Sequence, residues 1–280
     1  MAKTKADDKI LNLPCTRGFM QCAQDGVDKG WHEMNGGNLS CRLTDAEATA
    51  VKKAVKRPAG GWQEIGETVP KLGGEFFIVT RTGGYMRNVV RTPRQAFGIV
   101  ELDSTGTKWR PWWGLSDGGR PTSEFPSHLK NHEVKLETTG GVHRVIYHAH
   151  PVNLIALTFV LPPTDRAFTR ALWEIMTECP VIFPEGVGVV PWMVPGKGPI
   201  AEATSRLMRK YNIVVWVHHG LFVSGADFDR CFGLMDTVEK AAAIRIAAQS
   251  TGAFRKSAIQ KKQLLQIAHD FGFTLNKKFL

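Results

Sequence analysis

Apolar and polar positions repeat along this chain with two different periods, and each change of period marks an element. Residues 15–30 keep a helical spacing that ends near Gly30, whereas Leu39-Ser40-Cys41-Arg42-Leu43 alternates residue by residue and predicts a strand. The cluster Asn35-Gly36-Gly37-Asn38 between them reads as a turn. Thr44-Asp45 can cap a helix that runs through residue 56, and the Gly- and Pro-rich stretch 57–75 reads as a loop. Phe76-Phe77-Ile78-Val79 predicts a buried strand running into the turn Thr80-Arg81-Thr82-Gly83-Gly84, and Phe97 to Leu102 predicts another. Residues 103–121, with Trp109, Trp112 and Trp113 among glycines, suggest a structured loop or hairpin, and Pro126 to Leu136 a helix.

The second half continues the alternation. Val142 to His148 is a strand by its Val, Ile and Tyr content, and Pro151 to Leu161 a helix with proline in its first turn. Asp165 to Glu178 is a further capped helix, Val181 to Phe183 and Val187 to Val190 are short strands, and Ile200 to Tyr211 is a helix. Ile213 to Val217 and Leu221 to Val223 are strands around His218-His219-Gly220, followed by a long amphipathic helix from Asp227 to Gln249 and a last helix over 258–271. Residues 1–12 read as a loose polar start. Helices that alternate with strands imply an α/β fold, a sheet covered by helices, and short turns between strand pairs make part of that sheet antiparallel. With no linker or repeat in sight, 280 residues are expected to form one domain over 1–280.

Composition narrows the function classes. At 280 residues the chain can bury a full core unaided, so a metal here would serve chemistry rather than folding. The formal net charge of +10 favours anionic partners, but the lysines and arginines are scattered rather than gathered into a stripe, which argues against nucleic acid and suits a small phosphorylated substrate. The five cysteines form no CxxC, and residues 1–10 lack an apolar core. Free thiols in the cytoplasm are therefore expected. The apolar run Leu154 to Leu161 is too short to span a bilayer, so no membrane partner is expected.

The candidate chemistry sits where strands end. In His148-Ala149-His150, residues i and i+2 of a strand face one side, so two imidazoles can take two positions on one metal ion. A third ligand from His218-His219-Gly220 would complete a three-histidine site with an open fourth position, the composition of catalytic zinc; spacing does not choose between His218 and His219. Thr122, Ser123 and Glu124 offer hydroxyls and a carboxylate just before a helix, where they could equally be caps. Glu178 is placed at the end of a helix, where a carboxylate gains nothing from the helix dipole, which mildly favours a functional role. Asn35-Gly36-Gly37-Asn38 and Thr80-Arg81-Thr82-Gly83 are the anion candidates, because glycines let backbone N–H groups approach a phosphate.

Taken together and in order, these elements resemble the class II aldolase family, which also includes the adducin head. The resemblance runs from about residue 17 to residue 270 through Asn35-Gly36-Gly37-Asn38, Pro121-Thr122-Ser123-Glu124, His148-Ala149-His150-Pro151 and His219-Gly220. It implies a three-layer α/β/α sandwich around a largely antiparallel sheet, and a homotetramer of fourfold cyclic type. It implies Zn2+ held by His148, His150 and His219, with His219 taken because it precedes the glycine. It also implies Glu124 as acid/base, Glu178 reaching the site of a neighbouring subunit, and Asn35, Gly37, Asn38, Thr82, Thr122 and Ser123 as phosphate-binding residues. The implied reaction is reversible retro-aldol cleavage of a phosphorylated keto-sugar, with zinc stabilising the enediolate. A sister activity, either another phosphosugar aldolase or a 4-epimerase, and a non-catalytic, adducin-like module are the rival readings. One departure stands out: Arg81 occupies a turn position where the family pattern has glycine, which puts the shape of that loop in question.

Overall fold

The computed structural model describes residues 5–196, 198–252 and 257–280. Its centre is a sheet of nine strands: β1 (Asn38–Arg42), β2 (Gln63–Glu64), β3 (Phe76–Thr80), β4 (Phe97–Leu102), β5 (Lys108–Gly114), β6 (Val145–Ala149), β7 (Gly188–Val190), β8 (Ile213–Trp216) and β9 (Gly220–Gly225). The order is β2-β5-β4-β3-β1-β6-β9-β8-β7. Every pairing is antiparallel except β7 with β8.

Strict alternation assigns each strand residue to a face. Phe76 and Ile78 of β3 join one apolar cluster, while Phe77 and Val79 join another. The first cluster takes in α2 (Pro14–Asp28) and the long α10 (Phe228–Ser250) through Phe19, Ala23, Leu234 and Val238. The opposite face is covered by α5 (Phe125–Thr139) and α9 (Gly198–Met208). Phe125 and Leu129 of α5 pack with β3–β5, whereas Val134 packs with Ile146, Trp216 and Phe222 of β6, β8 and β9. Helix α5 therefore bridges two apolar clusters, and its residues between them are polar.

Local signals account for several boundaries. α3 (Asp45–Val55) starts at Thr44 with a reciprocal capping box: the Thr44 hydroxyl accepts from the Glu47 N–H, and the Glu47 carboxylate accepts from the Thr44 N–H at 2.7 Å. α10 is capped by Asp227, whose carboxylate accepts from the Arg230 N–H at 2.7 Å. Residues 103–121 prove to hold β5, the second strand of a hairpin with β4.

Three expectations are corrected. Part of the loose start is α1 (Lys5–Leu11), pinned by buried Ile10 and by Asp7, which accepts from the Trp113 indole at 2.8 Å; residues 1–4 lie outside the described residues. The helix from Asp165 is α7 (Asp165–Trp173), which ends before Glu178. Residues 181–183 are not a strand, because Glu178–Ile182 forms the short helix α8. Pro180 sits in its first turn, where no backbone N–H is needed. The remaining helices are α4 (Pro93–Ala96), α6 (Val152–Leu157) and α11 (Lys261–Asp270). All five cysteines are free and buried, and among the described residues no helix is long and apolar enough to cross a membrane.

Candidate metal centre

The sheet brings its chemistry to one end of its middle strands. β1 begins at Asn38 directly opposite His148 of β6, and β6 continues beside β9, whose first residue is Gly220. Ile146 faces the α5 side in β6, so His148, two residues on, faces it too. His150 lies just past the strand, and His219 lies in the turn between β8 and β9.

His148, His150 and His219 form one group whose ligand nitrogens all lie within 4.8 Å of one another. His148 Nε2 is 3.2 Å from His219 Nε2 and 3.3 Å from His150 Nε2. Zinc–nitrogen bonds in a tetrahedron set the nitrogens roughly 3.3–3.4 Å apart, so the spacing is that of ligands around one ion. The other ring nitrogens of His148 and His150 are already engaged. His148 Nδ1–H donates to the Leu221 carbonyl at 3.1 Å, and His150 Nδ1–H to Glu33 Oε1 at 2.5 Å. Both bonds leave the Nε2 lone pair facing the centre. Burial, and then the neighbouring rings, hold His148 well below the usual imidazole range and lower His219 to about 4. Neutral imidazoles are the form a metal binds.

Geometry also separates the two adjacent histidines. His218 has a left-handed backbone (φ 60°) and turns its ring to the Thr158 hydroxyl at 2.9 Å and to the Phe159 ring. Only His219 faces the centre. Gly220 follows because the rings close over it. A Cβ there would lie 2.9 Å from His150 Cδ2 and 3.1 Å from His148 Cε1.

The Asn35-Gly36-Gly37-Asn38 segment wraps the same centre. A Cβ on Gly36 would meet Glu33 Oε1 at 2.8 Å and His150 Cε1 at 2.9 Å. Gly37 is in the left-handed region (φ 75°), and a Cβ there would collide with the His32 ring and lie 2.8 Å from the His148 carbonyl. His32 ties the loop down, with Nδ1 3.0 Å from the Gly36 carbonyl and Nε2 2.8 Å from the Tyr147 hydroxyl.

Glu124 stands at the N-cap of α5 and is 8 % exposed. Its Oε2 is 4.0 Å from His148 Nε2 and accepts from Asn38 Nδ2 at 2.9 Å. Burial pushes its carboxyl above the usual range, against the Asn38 amide, which pulls it down. Both ends of the Asn38 amide are engaged, because its oxygen meets His128 Nε2. The Asn38 side chain, expected among the phosphate groups, is thus occupied within the protein. Thr122 is buried and accepts from the Glu124 N–H at 3.3 Å, while Ser123 and Thr82 are exposed. Thr82, Arg120, Thr122 and Ser123 share the lining of one cavity of about 240 Å³. Asn35 is exposed on its turn.

Arg81 is tied into its turn by hydrogen bonds. Its guanidinium donates to the Gln95 and Ser116 carbonyls, both at 3.3 Å, and the following Thr82 N–H donates to the Arg120 carbonyl at 3.0 Å. Glu178 does not close a helix but opens α8, where the helix dipole favours an acid, so the unfavourable placement expected from sequence does not exist. It is exposed and is not part of the histidine group. Sequence reasoning missed Glu33 and His32. The available signal was only their closeness to Gly36 and Gly37, since neither forms a spaced pattern with the histidines.

Residues 17–246 match the family described as Class II Aldolase and Adducin N-terminal domain. The chain is 42% identical to a rhamnulose-1-phosphate aldolase of Pectobacterium atrosepticum over 95% of this chain and 96% of that protein. It is also 42% identical to one from Escherichia coli O157:H7, over 92% and 93%. A sugar-phosphate aldolase from Thermotoga maritima superposes with a TM-score of 0.70 at 27% identity, covering 84% of this chain and 95% of that one. The L-fuculose-1-phosphate aldolase of Thermus thermophilus shares the fold, with a TM-score of 0.57 at 20% identity over 85% and 95%.

Proposed function

The chain belongs to the class II aldolase and adducin family, and from that membership we propose that it is a zinc-dependent aldolase cleaving L-rhamnulose 1-phosphate reversibly to dihydroxyacetone phosphate and L-lactaldehyde. The observation that carries the reading is the convergence of three imidazole Nε2 atoms, with the Glu124 carboxylate 4.0 Å from one of them. Two relatives at 42% identity that bear the rhamnulose-1-phosphate aldolase name supply the substrate.

Aldol cleavage leaves an enediolate, a carbanion equivalent that water does not stabilise. His148, His150 and His219 would hold one divalent ion, which supplies Lewis-acid stabilisation of the developing negative charge, worth several kcal/mol. A three-histidine set with an open position suits zinc, whereas a harder cation prefers oxygen ligands. Glu124 delivers a proton to the enediolate carbon in cleavage and removes it in the reverse direction, an effect worth roughly 10²–10⁴ in rate. Its burial suits this work, since a carboxyl raised toward neutrality can both give and take a proton. Asn35, Gly37, Thr82, Thr122 and Ser123 cradle the phosphate, and Asn38 orients Glu124.

We place this site in a single domain over residues 1–280, with the helices on its two faces forming a three-layer α/β/α sandwich, in a cytoplasmic homotetramer. Met34, Phe159 and Trp192 are large apolar side chains left 70 %, 72 % and 63 % exposed, which supports burial against further copies, where Glu178 would reach a neighbour's site. The test is a coupled assay for triose-phosphate release from L-rhamnulose 1-phosphate, with and without a chelator. Chelator-sensitive release supports the proposal. Conversion to an epimer without triose-phosphate would assign the sister activity instead.

A further inference from the structure

The polar residues of α5 between the two apolar clusters form a line that ends on Glu124. Glu124, His128 and His132 are four residues apart and so share one helix face; Asn38 and Ser40 are two apart on β1 and share one strand face. The faces meet. Asn38 Nδ2 donates to Glu124 Oε2 at 2.9 Å, and Asn38 Oδ1 meets His128 Nε2. His128 Nδ1 is 2.7 Å from Ser40 Oγ, which is 2.8 Å from His132 Nε2. All five side chains are buried, three of them at 1 % exposure or less.

With Glu124 as a carboxylate, the direction of every bond follows. A carboxylate only accepts, so Asn38 presents its NH2 group and its oxygen faces His128. That oxygen needs a donor, so His128 carries its proton on Nε2. The Nδ1 lone pair of His128 then accepts from the Ser40 hydroxyl, and the Ser40 oxygen accepts from His132 Nε2–H. His132 Nδ1 is left as a bare acceptor, and it is the ring nitrogen that has no partner. Burial keeps both rings neutral, lowering His128 to about 3 and His132 well below the usual range. Without His128, the Asn38 amide could turn over and set its oxygen against the Glu124 carboxylate.

We propose that His128, Ser40 and His132 are positioning residues that lock the Asn38 amide in one orientation and through it hold the Glu124 carboxylate beside the metal centre. The inference deepens the proposed function and rests on it for the role of Glu124. The bonded line itself does not depend on that role.

Two measurements on the full-length, metal-loaded protein separate these parts. The first is nitrogen NMR of histidine-labelled protein, with ring signals assigned by single substitutions. His128 and His132 are expected as neutral Nε2–H tautomers, with His128 losing that single state in Ser40→Ala; an Nδ1–H tautomer at His128 in the parent protein overturns the proposal even if the sugar phosphate is cleaved. The second is steady-state kinetics of His128→Leu and His128→Gln. Leucine removes the donor and is expected to lower kcat at least ~10-fold, part of the proton-transfer effect, with KM and bound zinc unchanged. Glutamine places an N–H near the Nε2 position and is expected to restore most of kcat. Loss of zinc, a parallel rise in KM, or equal damage from both variants would show a packing role and overturn the proposal. If the parent protein fails to cleave the sugar phosphate, the functional reading fails, and the tautomers alone decide whether the line exists.

Discussion

Glu33 is the most informative residue to change, because it touches a proposed metal ligand yet lies outside every motif. Its Oε1 accepts from His150 Nδ1–H at 2.5 Å, fixing the ring so that Nε2 faces the centre. The His150 side chain is 14% exposed, but that of Glu33 is 67% exposed. A fully buried bond of this charge-assisted kind is worth roughly 1.5–3 kcal/mol. Exposure on the carboxylate side brings it just below that range, to about 1.4 kcal/mol, or tenfold in affinity. That lies at the lower edge of the 10–100-fold cost, roughly, of losing a partner behind a metal ligand. Glu33→Ala is therefore expected to weaken zinc binding about tenfold, and Glu33→Gln, which keeps an acceptor but not the charge, by less. The assay is zinc competition against a chelator of known affinity, with Glu202→Gln, an exposed glutamate outside the histidine group, as control. If Glu33→Ala binds zinc as tightly as the parent, the carboxylate does not orient His150, and the account of how this centre is preorganised is wrong.

Three further outcomes follow from the same geometry. Gly220→Ala forces a methyl group against the His148 and His150 rings and the Ala149 carbonyl, and is expected to cost about 1–3 kcal/mol of stability together with most of the bound zinc, as read by urea unfolding and metal analysis. Arg81→Gly restores the family's residue but removes two bonds to the Gln95 and Ser116 carbonyls; stability is expected to fall by about 1–2 kcal/mol while KM changes little, and a large rise in KM with unchanged stability would instead make Arg81 a phosphate ligand. Burial first, with nearby positive groups second for His143, holds His128 near 3 and His143 near 4, so the unfolded chain binds more protons once pH falls below about 6.5. Stability of the metal-free protein is present above that pH and is lost as pH falls toward the folded values. A urea midpoint that failed to drop between about pH 7.5 and pH 5.5 would contradict the neutral, buried state of these rings.

How legible this molecule was in its sequence depended on whether a signal was local. β4 lies where its apolar run predicts, and the caps at Thr44 and Asp227 mark real helix starts, because propensity and capping act within a few residues. α8 was misread because Val181-Ile182-Phe183 looks like a buried strand; tertiary packing behind Cys179 and Pro180 makes most of it helical instead. α1 depends on an indole and a guanidinium about ninety or more residues away on Asp7, which no local pattern records. At the site, the spacing of His148 and His150 was readable from strand alternation. The choice of His219 over His218 came from the family resemblance and not from spacing, since it turns on a left-handed backbone at His218. Glu33, His32 and the line from His132 to Glu124 were invisible for the same reason: each joins segments distant in sequence, and only the assembled sheet brings them together.

The central claim is tested most directly by x-ray absorption at the zinc edge on purified, zinc-loaded protein, compared with His148→Ala and His219→Ala. The account predicts one ion per chain bonded to three imidazole nitrogens at about 2.0–2.1 Å, lost in both variants. Zinc retained at full stoichiometry in both variants, or bound through sulfur, would place the ion elsewhere and contradict it.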